Sequence, residues 1–243
     1  MNISDYSGYE ITQGWPAESF SKFSFDQANY FNAEVLPLIP TQNTSTKVLD
    51  IGFGNGSFLG WAKSLGYECT GLEVNERLVR RAHGAGFAAV SDFTELQAFK
   101  HDGYQVVTAF DVLEHIRRED MINFLCGVRS ICASDAVVIL RFPNGDNPFS
   151  LWMQNGDVTH QTWIGRGMLR QVAQLAGFDV ASLHGPAILT KGYSLKRRVS
   201  VALGIPIRWA VGKMISGLFM GGAEVSLSPN LLAVLRPSQQ RLP

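Results

Sequence analysis

Cysteine and charge are both scarce in this chain. Its three cysteines, Cys69, Cys126 and Cys132, are widely spaced and form neither a metal-ligand pattern nor an even disulfide set. This argues against a disulfide-stapled scaffold and fits a reducing cytoplasm. Charged residues make up only 17% of the 243 positions, low for a soluble domain. The first residues, Met1 to Tyr6, lack the basic region and apolar run of a signal peptide. No internal repeat or low-complexity tract is present, which excludes a solenoid.

What is abundant is apolar residue, 46% of the chain, enough for a substantial core in one domain with an insertion. The most informative segment is Lys47-Val48-Leu49-Asp50-Ile51-Gly52-Phe53-Gly54-Asn55-Gly56-Ser57-Phe58. It reads as a strand, a tight turn and a helix N-terminus. Glycines at 52, 54 and 56 permit positive φ and let a ligand approach the main chain. Glu73 ends the next predicted strand, 23 positions beyond Asp50, close to the spacing of an acid that binds a ribose diol. A third short strand ends at Val90-Ser91-Asp92-Phe93, where Asp92 is placed to accept from an adenine amine with Phe93 against the ring. Its other reading is a helix N-cap before Thr94-Glu95-Leu96.

Strands are predicted near 47–51, 68–72, 88–90, 104–110 and 136–142, and later at Phe178 to Leu183 and Asn230 to Leu235. Helices are predicted from Phe25 to Leu38, ended by Pro40, near 57–65, 75–84, 94–99 and 118–131, and from Gly165 to Leu175. This alternation predicts an α/β fold, a doubly wound, mostly parallel seven-stranded Rossmann-like sheet, with ligands over the carboxyl ends of the strands. The expected organisation is a single domain: a helical cap over 1–44, a cofactor-binding core over 45–190, a basic and apolar helical insertion over 191–226, and a last strand and tail over 227–243.

The succession VLDIGFGNGSF, GLEVN, SDF and VVTAFDVLEHI resembles the class I S-adenosylmethionine-dependent methyltransferases, over roughly residues 45 to 185. The similarity is to their small-molecule and glycan branch, UbiG-like and associated with polysaccharide biosynthesis. The resemblance implies S-adenosylmethionine as cofactor, S-adenosylhomocysteine as product, and a last strand antiparallel to the others. It also implies that Asp50, Gly52, Gly54, Gly56, Glu73, Asp92, Phe93 and Asp111 hold the cofactor. A nicotinamide-binding domain shares the glycine turn and the acid but is not expected to carry DVLEHI.

Methyl transfer to an alcohol needs alignment and a base for the departing proton. Two histidines qualify. His115 lies in Asp111-Val112-Leu113-Glu114-His115, and His160 follows Asp157 in a segment that resembles the aspartate-x-x-histidine of glycan-modifying relatives. Asp157 is expected to orient His160. The alternative for both histidines is a bracing role. Asp111, Glu114, His115, Asp157 and His160 could in principle assemble a metal site, but nothing in their spacing requires one, and none is expected. His83, His101 and His184 read as structural or solvated.

Net charge is zero, yet residues 1–190 hold 13 basic against 20 acidic residues and residues 191–243 hold 8 against the single Glu224. The last fifth therefore suits an anionic partner. It contains Lys191, Lys196, Arg197 and Arg198, then an apolar stretch with a helix predicted from Ile207 to Met220. Pro206, Arg208 and Lys213 argue against a spanning helix, because no uncharged run there reaches 18 residues. A packed subdomain, a lid, a homodimer interface and a helix lying on an anionic membrane remain open.

The reading is an O-methyltransferase acting on a sugar hydroxyl of a polysaccharide precursor or lipid-linked glycan, cytoplasmic or peripheral at the inner membrane face. Phe142-Pro143-Asn144-Gly145 and the tail segment Ser228 to Arg236 share this resemblance, and Trp152 and Trp163 are candidates to stack on a sugar. A quinone-type small-molecule O-methyltransferase is the alternative enzyme. A non-catalytic S-adenosylmethionine-binding regulator is the alternative of another class. A nucleic-acid substrate is not expected, since no N-P-P-Y-like segment for a flipped base follows the fourth strand.

Overall fold

The computed structural model describes residues 8–39, 45–96, 103–188, 192–223 and 225–239, without the Arg197 side chain. Pro40, His101, Lys191, Glu224 and the side chain of Arg197, all invoked above, lie outside the described residues.

Five apolar runs make the centre of the molecule. Strands β1 (Lys47–Ile51), β2 (Glu68–Leu72), β3 (Ala88–Val90), β4 (Tyr104–Phe110) and β5 (Cys132–Pro143) are mutually parallel. Residues 136–140 of β5 are all fully buried, as expected of a strand covered on both faces. Two later strands, β6 (Phe178–His184) and β7 (Asn230–Pro237), complete a seven-stranded sheet of order β3-β2-β1-β4-β5-β7-β6. β7 is antiparallel to both neighbours, as the resemblance implied. β5 begins at Cys132 rather than 136, because Tyr104 pairs with Cys132 across a register shift before the regular ladder resumes at Val106 and Val137.

The cap consists of a short α1 (Tyr9–Thr12), a 3-10 turn at Ala17–Ser19, and α2 (Phe25–Glu34). A capping box starts α2: Ser24 Oγ accepts from Gln27 N at 3.2 Å and Gln27 Oε1 accepts from Ser24 N at 2.8 Å. The helix ends at Glu34, and Leu36–Leu38 continues as a 3-10 turn rather than as α-helix. The crossovers are α3 (Ser57–Ser64), α4 (Glu76–Gly84), α5 (Phe93–Leu96), α6 (Met121–Ile131) and α8 (Arg166–Leu175), with a single turn α7 (Leu151–Gln154) between β5 and α8. Residues 118–120 form a 3-10 turn before α6.

The largest departure from expectation is α9 (Leu195–Phe219), 25 residues long with Pro206 inside it. Proline costs the helix one N–H, which argued for a start at Ile207. Residues 202, 203 and 205–210 are exposed, so water can reach the carbonyl that proline leaves without a donor. By length and mean hydropathy, Arg198–Phe219 is long and apolar enough to cross a membrane, which the shorter predicted helix was not. A packed subdomain is not what the structure contains. Leu195, Leu203, Ile207, Trp209, Leu218 and Phe219 are each 63–74% exposed, whereas Ile215 is buried.

Candidate active site

The motif residues other than Gly56 meet around one cavity of about 1630 Å³ at the carboxyl ends of the parallel strands, whereas Gly56 is the N-cap of α3, at φ 71°, with Phe20 against it. The turn after β1 forms one wall. Gly52 has φ 66° and Gly54 φ 53°, and a Cβ would fall 2.5 Å from Val112 Cγ2 at Gly52 and 2.8 Å from the Trp15 ring at Gly54. Both positions are therefore fixed as glycine twice over, by backbone sign and by space. The cap closes this turn from outside: Ser21 N donates to Asn55 O at 2.8 Å and Arg81 Nη1 to Trp15 O at 2.8 Å. Buried Glu10 receives Asn75 Nδ2 at 2.9 Å and Arg77 Nη1 at 3.1 Å. Burial raises the Glu10 pKa, but these donors outweigh it and hold the carboxyl at about 2.

Glu73, at the end of β2, is buried beside the turn. Its Oε2 accepts from Gly54 N at 3.1 Å and its Oε1 from Asn75 N at 3.0 Å. Burial raises its pKa against the pull of these amides. Asp50 accepts from Thr108 Oγ1 at 2.8 Å, and burial, with the charge of Glu73 adding to it, pushes its carboxyl up to about 7. Asp92 and Phe93 line the cavity. Asp92 also caps α5, accepting from Thr94 N at 2.7 Å and Glu95 N at 3.2 Å, so the N-cap reading holds alongside its place in the wall. Asp111 takes a left-handed conformation, φ 57°, and its carboxylate is engaged by Arg141, whose guanidinium lies 5.2 Å from the ring centroids of Tyr30 and Phe110.

A further part of the cavity wall is built by the 3-10 turn Leu113–His115 and the loop that follows α7. The backbone C=O of Glu114 accepts from Gln161 N at 2.7 Å and Thr162 N at 3.0 Å, and Thr162 Oγ1 donates to Ile116 O at 2.6 Å. The loop is thereby tied to the turn, and the His115 and His160 rings stand 4.9 Å apart.

One expectation is corrected here. Asp157 does not orient His160. Its Oδ1 accepts from Thr159 Oγ1 at 2.6 Å and Thr159 N at 2.9 Å, and its Oδ2 from Tyr9 OH at 3.0 Å. Thr159 Oγ1 in turn lies 2.9 Å from His115 Nδ1. A threonine hydroxyl has one proton, and it goes to the carboxylate; the bond to His115 is then Nδ1–H donating to Oγ1, which places the imidazole lone pair on Nε2. His160 is set separately, by Nδ1 donating to Gln154 O at 3.2 Å. The physical reason is reach: the Asx turn at 157–159 commits the aspartate to the threonine, and the loop lays that threonine on His115. Burial, then the neighbouring His160, lowers the His115 pKa, so it is neutral at physiological pH. Asp157 is held below its usual value because its hydrogen bonds from Thr159 and Tyr9 outweigh burial.

Glu114, Thr159, Tyr9 and Arg141 carry roles that the sequence reading did not assign. Glu114 was visible inside DVLEHI, but nothing local marks Tyr9, 148 positions from its partner. His83 and His184 are structural, bonded to Ala89 O and Gly185 O at 2.9 Å. Of the two tryptophans, Trp152 lines the cavity and is 71% exposed, and Trp163 is half-exposed.

Comparison with known proteins agrees with this geometry. A family model described as a methyltransferase domain matches residues 25–183. The chain belongs to that family, and it is an S-adenosylmethionine-dependent methyltransferase. A SAM-dependent methyltransferase from Archaeoglobus fulgidus superposes with a TM-score of 0.60 at 21% identity, covering 95% of this chain and 98% of the other. The magnesium protoporphyrin IX methyltransferase of Synechocystis PCC 6803, with bound SAH, gives 0.57 at 16% identity over 96% and 98% of the two chains. The mitomycin 7-O-methyltransferase gives 0.57 at 14% identity, over 87% of this chain and 53% of that one. These similarities show the shared fold. No curated protein sequence matches the chain.

Proposed function

We propose that this enzyme O-methylates a hydroxyl group of an amphiphilic acceptor, a lipid-linked or nucleotide-linked glycan, while resting on an anionic membrane surface. The observation that carries the oxygen acceptor is the histidine pair in the cavity wall, with the His115 imidazole kept neutral by burial and by His160 and oriented by Thr159 and the Asp157 carboxylate behind it.

The residues present fit the cofactor. Gly52 and Gly54 line the cavity with no side chain of their own, and buried Glu73 and Asp50 line it beside them. Glu73 would hold the ribose, Asp92 and Phe93 the adenine, and Asp50, Asp111 and the 52–56 backbone the remainder. When bound, S-adenosylmethionine supplies an electrophilic methyl carbon. The chain's own task is to position the acceptor oxygen and accept its proton, and His115 Nε2, backed by Thr159 and Asp157, is suited to that. His160, 11% exposed, flanks the same space.

The membrane reading is supported by α9. No acidic residue occurs between 195 and 219, Lys196, Arg198, Arg208 and Lys213 all lie there, and its apolar residues are exposed. Each basic residue near an anionic surface contributes about 1 kcal/mol, giving reversible attachment. The exposed apolar groups Phe149, Leu151 and Trp152 lie in and just before α7, next to the cavity. A quinone-type acceptor is the second reading, favoured by the aromatic lining of Phe53, Tyr30, Phe93, Phe110 and Phe124. Incubation of the full chain with labelled S-adenosylmethionine and either lipid-linked glycan or catechol acceptors tests the proposal. Label in the sugar hydroxyl supports it; label only in the phenol assigns the second reading; binding without transfer to any acceptor supports a regulator.

A further inference from the structure

We propose that Glu114, His115 and His160 bind one divalent cation of the zinc, manganese or iron(II) class, with open coordination positions facing the cavity. One donor atom from each of the three lies within 4.8 Å of the other two. The His160 Nε2 to Glu114 Oε1 distance is 3.9 Å. Ligands about 2.0–2.2 Å from one ion stand roughly 3–3.5 Å apart, so binding requires side-chain movements on the order of 1 Å. Two imidazoles and one carboxylate form a donor set that suits these ions and leaves sites for an exogenous oxygen.

A second, independent observation points to a missing ligand. Glu114 is 2% exposed, lines the cavity, and its Oε2 has no hydrogen-bond partner. Buried carboxylate oxygens are almost always paired, and a cation would pair this one. Arg141, whose charge acts on Glu114, is already engaged by Asp111. Orientation of the histidines supports the same conclusion. Each is fixed through Nδ1, His115 by Thr159 and the Asp157 carboxylate behind it, His160 by a backbone carbonyl, which is how metal-binding imidazoles are held with Nε2 directed at the ion.

The catalytic consequence rests on the methyltransferase reading; the binding site does not. A cation here would bind the acceptor hydroxyl and lower its pKa, so that the O–H proton passes to solvent and the oxygen is positioned by two histidines and a glutamate. His115 would then act as a ligand, with Thr159 and Asp157 as its positioning residues, in place of acting as base directly.

The test uses the full chain stripped with chelator and titrated with Co²⁺, read by visible absorption and by metal analysis after desalting. Wild type is expected to bind one ion per chain, and Glu114→Gln and His160→Ala to weaken binding at least about 100-fold. Binding of S-adenosylhomocysteine, measured calorimetrically on the same samples, reports folding and the cofactor site. Substoichiometric Co²⁺ in wild type, or equal affinity in both variants, overturns the proposal. Should the variants fail to fold, X-ray absorption of the wild-type Co²⁺ complex decides: two imidazole ligands support the site, and none overturns it. Loss of S-adenosylhomocysteine binding in wild type would instead strike the methyltransferase reading and leave the metal result standing.

Discussion

Replacing Glu73 by glutamine changes one atom and tests the core of the cofactor site. In the structure both carboxylate oxygens work at once, Oε2 on the Gly54 amide at 3.1 Å and Oε1 on the Asn75 amide at 3.0 Å. Glutamine keeps one acceptor and presents an NH₂ to the other N–H, so at least one charge-assisted bond is lost and one backbone donor in the turn is opposed. Hydrogen bonds to a charged group contribute about 1.5–3 kcal/mol, and the ribose diol would lose its anionic acceptor as well. A net weakening of about 3 kcal/mol corresponds to roughly 150-fold in Kd. Calorimetric titration of Glu73→Gln with S-adenosylhomocysteine, beside wild type and with circular dichroism to verify folding, measures it. A folded variant whose Kd stays within about threefold of wild type would refute the assignment of Glu73 to the cofactor.

Thr159→Val removes the hydroxyl between Asp157 and His115 with little change in volume; kcat/KM is expected to fall about 10- to 100-fold while S-adenosylhomocysteine affinity is unchanged. An unchanged kcat/KM would show that His115 needs no orienting partner. Asp50 carries a folded pKa of about 7 against an ordinary 3.8, so in the apo protein it takes up a proton on folding between those values. Its contribution to stability is fully present below about 3.8 and is lost as pH rises toward 7. Thermal melts of apo Asp50→Asn should therefore show a gain over wild type that grows from pH 5 to pH 8, on the order of a few kcal/mol at most; a pH-independent difference contradicts the buried, proton-binding aspartate. Leu203→Asp combined with Trp209→Asp should abolish co-sedimentation with anionic vesicles and leave S-adenosylhomocysteine binding intact. A wild type that ignores vesicles and forms a dimer disrupted by the same pair would assign α9 to self-association.

The primary sequence determined the α/β alternation, the glycine turn and the acids at 50, 73 and 92, because each depends on local periodicity or on a spacing within one strand-turn-helix unit. Those elements reappear with nearly unchanged bounds, from β1 at Lys47–Ile51 to β4 at Tyr104–Phe110. Where sequence rules failed, the deciding contacts were distant or the rule was local. Pro206 reads as a helix breaker, but an exposed helix tolerates it. Asp157 reads as the partner of the histidine three residues on, but Thr159 intercepts it and passes it to His115, 44 positions away. Tyr9 and Glu10 carry no motif, and become part of the site only because the cap folds over the ends of β1 and β2. The sequence offered Glu114, His115 and His160 within a larger set that included Asp111 and Asp157, and only the return of the chain through β5 and α7 to the same end of the sheet selects these three donors. Local patterning fixes which elements form, whereas the convergence of side chains from separate crossovers is a property of the packed sheet alone.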